Sequence, residues 1–228
     1  MHIDRVHLYT NRMDELKDFY IRKLEFELVS ENDHSFEMKI GSSRMVFHST
    51  LKNRQPFYHF AFNLPSNKFE DAKQWAKAKV SLSKEEGEDD VYFDFLKSKA
   101  FYFTDPGGNI VELIARQSLS PVDKKEGFHP TRLLNISEMS LTTDDVLTVG
   151  RHLQGMGLPV REGEPLEMDT LNFLGETKSG AFLLLGPQGR RWIFSEQHAE
   201  THPLKIKVNG GNFIELNEEG EASITHSF

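Results

Sequence analysis

Segment 3–9, Ile-Asp-Arg-Val-His-Leu-Tyr, alternates apolar and polar positions, with Val6 and Leu8 pointing one way and Arg5, His7 and Tyr9 the other. A period of two predicts a strand with one apolar face and one chemically varied face. Asn11 can cap the helix that follows, in which Met13, Leu16, Phe19, Tyr20 and Leu24 fall at helical spacing. Strand-like runs come next at 26–30, 35–40 and 44–48, and then the order starts again. Residues 58–64 alternate with Phe60, Phe62 and Leu64 on one face and His59, Ala61 and Asn63 on the other. Asn67 with Glu70 three later reads as a capping box, opening a helix that carries Phe69, Ala72, Trp75, Ala76 and Val80. Strands are predicted near 91–95, 100–104 and 109–115. Asp105-Pro106-Gly107-Gly108 joins the last two, and its proline and glycines suit a tight hairpin.

A polar stretch, 116–130, has linker composition. Beyond it, 136–142 reads as a strand, Asp144 as a helix cap, and Val146, Val149, Leu153 and Met156 as an apolar helical stripe. Further strands fit near 158–162, 171–175, 181–185 and 191–195, and Leu204 to Leu216 reads as a hairpin centred on Asn209-Gly210. The pattern implies an α+β protein of repeated βαβββ modules. The expected organisation is two paired modules over 1–115, a linker over 116–130, and a third module with a C-terminal hairpin over 131–228. An unpaired module leaves a sheet edge open, so the hairpin, or the second subunit of a homodimer, should cover it.

Composition narrows the chemistry. The chain has 228 residues, 27 basic against 35 acidic, for a net charge of −8. It carries no sequence-wide attraction for nucleic acid or anionic lipid. No run approaches the ~20 apolar residues of a membrane span, and the N-terminus reads as a charged strand rather than a signal peptide, so a cytoplasmic location is expected. With no cysteine among 228 residues, disulfides, thiolate nucleophiles and cysteine-ligated metals are excluded. Any metal must rest on carboxylates and the ten histidines. Gly107-Gly108 lacks the strand-to-helix setting of a phosphate loop, and no Gly-x-Ser-x-Gly elbow exists. His198 and His202 are spaced for a helix, but Pro203 follows and favours a loop.

The repeated units, with the string Phe103-Thr-Asp-Pro-Gly-Gly-Asn-Ile-Val-Glu-Leu-Ile114, resemble the vicinal oxygen chelate superfamily of glyoxalase I, extradiol ring-cleaving dioxygenases and bleomycin-resistance proteins. The likeness covers 1–115 well and 131–195 at the level of pattern. It implies mixed sheets that curl around a cavity, with a divalent metal held on the concave face by residues of first and last strands. Carried over, the first-strand histidine lands on His59 and the last-strand glutamate on Glu112. The residues agree, because Glu112 sits between Val111 and Leu113 on an apolar strand. An unpaired buried carboxylate there costs several kcal/mol unless a cation or hydrogen bonds compensate it.

A third ligand is less direct. The ligand position of the first module holds Arg5, which does not ligate metal. His7 projects from the same face ~6.5–7 Å further along and is the expected third ligand. His48 lies near the position where glyoxalases carry a glutamate, although strict matching to Glu112 selects Phe47. Glu138 begins the third module at its first-strand ligand position, and the segment ending in Glu215 echoes the one ending in Glu112. Arg5 and Tyr9 are expected in the cavity as catalytic residues, with Arg5 binding a substrate carboxylate or pairing with Glu112.

The resemblance therefore implies a metal-dependent oxidoreductase of the extradiol type acting on a small aromatic vicinal diol. His7, His59 and Glu112 would hold Fe(II), the favoured metal, with Mn, Zn or Ni as alternatives. A glyoxalase I-like lyase with a fourth ligand is the second reading. A metal-free binding protein of the bleomycin-resistance type, in which Arg5 neutralises Glu112, is the third.

Overall fold

The computed structural model describes residues 1–50 and 53–226, and in it the alternating segments build two seven-stranded sheets. The first unit comprises β1 (Ile3–Thr10), α1 (Met13–Lys17, continuing as π-helix over Asp18–Lys23), β2 (Glu27–Asn32), β3 (Ser35–Ile40) and β4 (Ser43–Ser49). The second comprises β5 (His59–Leu64), α2 (Phe69–Lys77), β6 (Val91–Phe93), β7 (Ser98–Thr104) and β8 (Ile110–Arg116). The third has β9 (Ile136–Thr142), α3 (Val146–Gly155), β10 (Asn172–Leu174) and β11 (Phe182–Gly186). The chain closes with β12 (Leu204–Val208), β13 (Asn212–Leu216) and β14 (Ala222–His226). The α+β class and the mixed, curved sheets agree with the pattern in the sequence.

The pairing of modules does not. Modules one and two, expected to pair with each other across one cavity, lie in different sheets with other partners. Sheet A runs β14-β13-β12-β1-β4-β3-β2, with β1 antiparallel to β12. Sheet B runs β10-β11-β9-β5-β8-β7-β6, with β5 antiparallel to β9. The second module is thus partnered by the third, and the first by the C-terminal meander. Because β12 occupies the free edge of β1, the edge of β5 is left for β9, and the open edge expected on the third module is closed within the chain.

Several local readings also change. Arg12, not Asn11, holds the cap position of α1, without a side-chain bond. Asn67 does not cap α2 but exchanges bonds with Asp123, Nδ2 donating to its carbonyl and Asp123 N donating to Oδ1, each at 2.9 Å. The cap of α3 is Asp145, which accepts from Thr148 N at 3.2 Å, while Asp144 accepts from Gln188. Residues 158–162 form a single bridge from Val160 to Leu174 followed by a short 3-10 turn. Residues 191–195 form part of an irregular strap, 187–203 between β11 and β12, rather than a strand.

One apolar cluster joins the inward faces of both sheets with the helices. It contains Val6, Leu8, Met45 and Phe47 of sheet A, Phe60, Phe62, Val111 and Leu113 of sheet B, and Leu16, Phe19, Ala72, Val149 and Leu153 of the helices. Burial of each large apolar side chain contributes about 1.5–3 kcal/mol. The β3–β4 turn touches the segment before β9 so closely that a Cβ on Gly41 would lie 2.1 Å from the Leu134 carbonyl oxygen. The 105–109 turn fixes the register of the site. Buried Asp105 accepts from Gly107 N, Asn109 N, Asn109 Nδ2 and the Tyr20 hydroxyl at 2.6–2.9 Å. Asn109 Oδ1 in turn accepts from Tyr58 N at 2.9 Å, which sets the start of β8 beside β5.

Candidate metal centre

Ala61 is the pivot of the outward face of sheet B. Its cross-strand neighbours are Glu112 on β8 and Glu138 on β9, and its methyl group leaves the space between them to their carboxylates. His59, two residues earlier on β5, shares that face. His59 Nε2 lies 3.5 Å from Glu112 Oε2 and 4.0 Å from Glu138 Oε2, and all three side chains are buried. Among the described residues they are the one group of three or more potential ligands whose donor atoms fall within 4.8 Å of one another.

The surroundings suit a divalent cation. His59 Nδ1 lies 3.1 Å from the Ile110 carbonyl, so the N–H donates there and Nε2 keeps its lone pair for the cluster. Burial pushes this imidazole down to about 3, which keeps it in the neutral, ligating form. Burial first, and the Glu138 charge second, hold Glu112 well above the usual carboxylate range, opposed by Arg116 and a hydrogen bond from Tyr102. Arg116, buried at the end of β8, donates from Nη2 to Glu138 Oε1 at 2.6 Å and to Ser137 Oγ at 2.9 Å. That bond leaves Glu138 Oε2 facing His59. Arg116 pairs directly with Glu138 alone, so Glu112 is left to a proton or a cation for its direct partner. One imidazole and two carboxylates form a donor set for Fe(II), Mn(II) or Zn(II).

A fourth ligand position exists in the register and is apolar. His59 and Glu138 occupy the same place in their units, so Ala61 corresponds to Ser140. Ala61 faces Glu112 on β8, and Ser140 faces Leu184 on β11.

Above the centre lies a cavity of about 580 Å³, open mouth included, whose lining includes Phe93, Tyr102, Phe173, Leu184, Arg190 and Trp192. The strap closes one side of it. Trp192 lies 4.7 Å from the His59 ring, and Phe194 stacks on Tyr102 at 4.6 Å. Gln197 Nε2 ties the strap to the Gly108 carbonyl at 2.7 Å, while Glu85 pairs with Arg191 and accepts from Phe194 N at 2.7 Å.

His59 and Glu112 are brought together as the sequence suggested, but the other expected site residues lie on sheet A. His7 Nδ1 meets His48 Nε2 at 2.9 Å, and Tyr9 lies 5.5 Å from the His48 ring. Neither histidine is a ligand of the His59 cluster, because β1 and β4 belong to the other sheet and these side chains project from its outward face. Arg5 donates to Glu37 at 2.9 Å and meets no part of Glu112, so neither it nor Tyr9 lines the cavity. Glu215 pairs with Lys205. The strict counterpart of Glu112 in the first unit is Val46 rather than Phe47, since Arg5 faces Arg44 as His59 faces Ile110. The third member of the cluster, Glu138, stood at a ligand position in the sequence, but its weight depended on module three joining module two. Arg116 was assigned to the linker and Trp192 to a strand, and neither carried a motif.

Two βαβββ units, one of them with a histidine on its first strand and a glutamate on its last, define a class, and residues 2–113 match the sequence model of the Glyoxalase/Bleomycin resistance protein/Dioxygenase superfamily. That match spans 112 of the 228 residues, and over it the chain is similar to that superfamily. Residues 136–190, which include Glu138 and Arg190, match the model described as toxoflavin-degrading enzyme. A Bacillus subtilis structure provisionally assigned as a dioxygenase is similar at 14% identity and TM-score 0.58, over 81% of this chain and 63% of that one. Lactoylglutathione lyase from Agrobacterium tumefaciens is 20% identical at TM-score 0.40, over 49% of this chain and 90% of that one. An integron cassette protein from the mobile metagenome of the Halifax Harbour sewage outfall is 20% identical at TM-score 0.43, over 50% and 97%. At 14% identity the likeness to the Bacillus structure is one of fold. Among curated proteins none matches significantly.

Proposed function

We propose that the chain is a metal-dependent oxidoreductase that degrades a small, flat aromatic or heteroaromatic compound, in the manner of the extradiol dioxygenases its sequence resembles, a reading supported by the dioxygenase and toxoflavin-degrading family models it matches. The observation that carries this reading is the count of ligands. His59, Glu112 and Glu138 converge, and Leu184 stands at the fourth position, so a bound ion keeps coordination sites open for substrate and a second reactant. A glyoxalase-type site needs a fourth protein ligand, and His48 is on the wrong sheet to supply it.

Fe(II) or Mn(II) held there would supply Lewis acidity toward substrate oxygens and the electron transfer that dioxygen chemistry requires. The protein's own groups do the rest. Arg116 aims Glu138, and the Ile110 carbonyl fixes the His59 tautomer. Tyr102, whose hydroxyl burial keeps protonated, donates to Glu112. Trp192 and Tyr102 give the cavity an aromatic lining, and the strap covers one side of it. A metal-free binding protein is the second reading, and the observation in its favour is the Arg116–Glu138 ion pair, which already offsets one buried carboxylate.

The test is anaerobic reconstitution with Fe(II) or Mn(II), followed by oxygen uptake with 2,3-dihydroxynaphthalene, catechol and toxoflavin. Aromatic-dependent uptake by the loaded protein is expected. Retention of no metal, with identical thermal stability with and without it, rejects the enzyme in favour of the binding protein. Consumption of a hemithioacetal without oxygen uptake moves the chain to the glyoxalase branch.

A further inference from the structure

Arg190 stands at the head of the strap, and one edge of its guanidinium is unsatisfied. The group lies 4.0 Å from the Trp192 ring centroid, and Trp192 in turn lies 4.7 Å from the His59 ring. Nη1 donates to the Arg191 carbonyl at 3.0 Å. Nε and Nη2 are buried and have no hydrogen-bond partner among the described residues. Those two N–H groups point the same way from a guanidinium and form the fork that grips a carboxylate or any pair of adjacent acceptors. Arg116 also carries unpaired N–H groups, but it lies over Phe182 and is absent from the cavity lining, whereas Arg190 belongs to it.

Charge points the same way. With a divalent ion balancing Glu112 and Glu138, Arg116 and Arg190 leave the site positive, which favours an anion. Trp192 packs against Arg190, and Phe93, Tyr102 and Phe173 add aromatic side chains to the cavity lining, which favours a flat ring.

We propose that the substrate is a planar aromatic anion whose carboxylate, or equivalent two-acceptor edge, is held by Arg190 Nε and Nη2 while its ring lies in the cavity beside Trp192. The ring-degrading chemistry rests on the function proposed above, but the anion fork does not. A lysine at this position would keep the charge and lose the fork.

The experiment is equilibrium dialysis of the intact protein, metal-free and with Mn(II), against 2-naphthoate and its neutral isostere 2-naphthamide. Wild type should bind naphthoate at least about tenfold more tightly than naphthamide, as a charge-assisted fork requires. Arg190→Gln should lose about tenfold for naphthoate and stay within about threefold for naphthamide, and Arg190→Lys should recover only part of the loss. Equal binding of the two probes by wild type overturns the proposal, as does unchanged naphthoate binding by Arg190→Gln. If Arg190→Gln fails to fold by circular dichroism, Arg190→Lys decides, and wild-type naphthoate affinity there overturns the fork. Failure of the function reading looks different: no oxygen uptake, with Arg190-dependent naphthoate binding intact. Oxygen uptake with an unchanged KM for an aromatic acid in Arg190→Gln rejects Arg190 alone.

Discussion

Sheets A and B use the same unit in the same register, yet their outward faces have different fates. In sheet A the strands β3 and β12 alternate between buried and half-buried positions, with one face left to water. In sheet B the central strands β5, β8 and β9 are buried at every position. Ala61 faces Glu112 and Glu138, and its counterpart His7 faces Val46 and Lys205. The positions of His59, Glu112 and Glu138 therefore carry Arg5, Val46 and Lys205 in sheet A, a set that holds no metal. Among the described residues no metal-ligand cluster lies on sheet A, and the Arg5 side chain there is 45% exposed where it pairs with the less exposed Glu37. Over sheet B the strap withdraws two carboxylates from water and raises their demand for a cation. The strand positions offer the site, and the cover gives it its electrostatic force.

The two sheets should differ most in what loss of a histidine does to metal binding. His59→Ala should weaken divalent metal binding by about 100-fold or more, whereas His7→Ala and His48→Ala should leave it within about twofold, as read by anaerobic metal titration. Wild-type loss in His7→Ala would move the centre to sheet A. The pivot residue gives the next effect. Ala61→Leu overfills the space between the two glutamates and should cost about 1–3 kcal/mol in denaturant unfolding as well as metal binding. His7→Leu, at the matching but half-open position, should cost less than about 1 kcal/mol.

The two faces should also answer pH differently. Glu112 titrates higher in the folded protein than in the unfolded chain, so the folded metal-free state binds more protons. Its stability falls as pH rises from the ordinary carboxylate range toward the raised value, and a divalent ion that replaces the proton should abolish that fall. His7 titrates lower when folded, at about 4 against 6.5, through burial and then His48. It contributes stability that is present above 6.5 and lost as pH falls toward 4, a slope to which His59 adds from sheet B. Melting temperature against pH for wild type and His7→Gln, with and without Mn(II), separates the two. The smallest effect belongs to Arg5→Gln, which removes an exposed ion pair and should change unfolding free energy by about 0–1 kcal/mol without touching metal affinity.

Most of the fold was legible because period-two and helical patterns are local. His59 and Glu112 were legible too, as a polar opening to one strand and a lone carboxylate in another. The pairing of units was not, since β1 and β5 offer similar edges and only the long-range choice of β12 and β9 decides between them. That choice removed His7 from the site and admitted Glu138. The strap residues Arg190 and Trp192 follow no periodicity, and Arg116 looked like linker because its strand ends one residue later than the apolar run implies.

Anaerobic equilibrium dialysis of wild type and Glu138→Gln against Mn(II), at one free concentration and with folding verified by circular dichroism, tests the centre most directly. One ion per chain in wild type and none in Glu138→Gln is the expected result. A wild-type protein that holds no ion, or a Glu138→Gln protein that still holds one, would contradict a metal centre built from His59, Glu112 and Glu138.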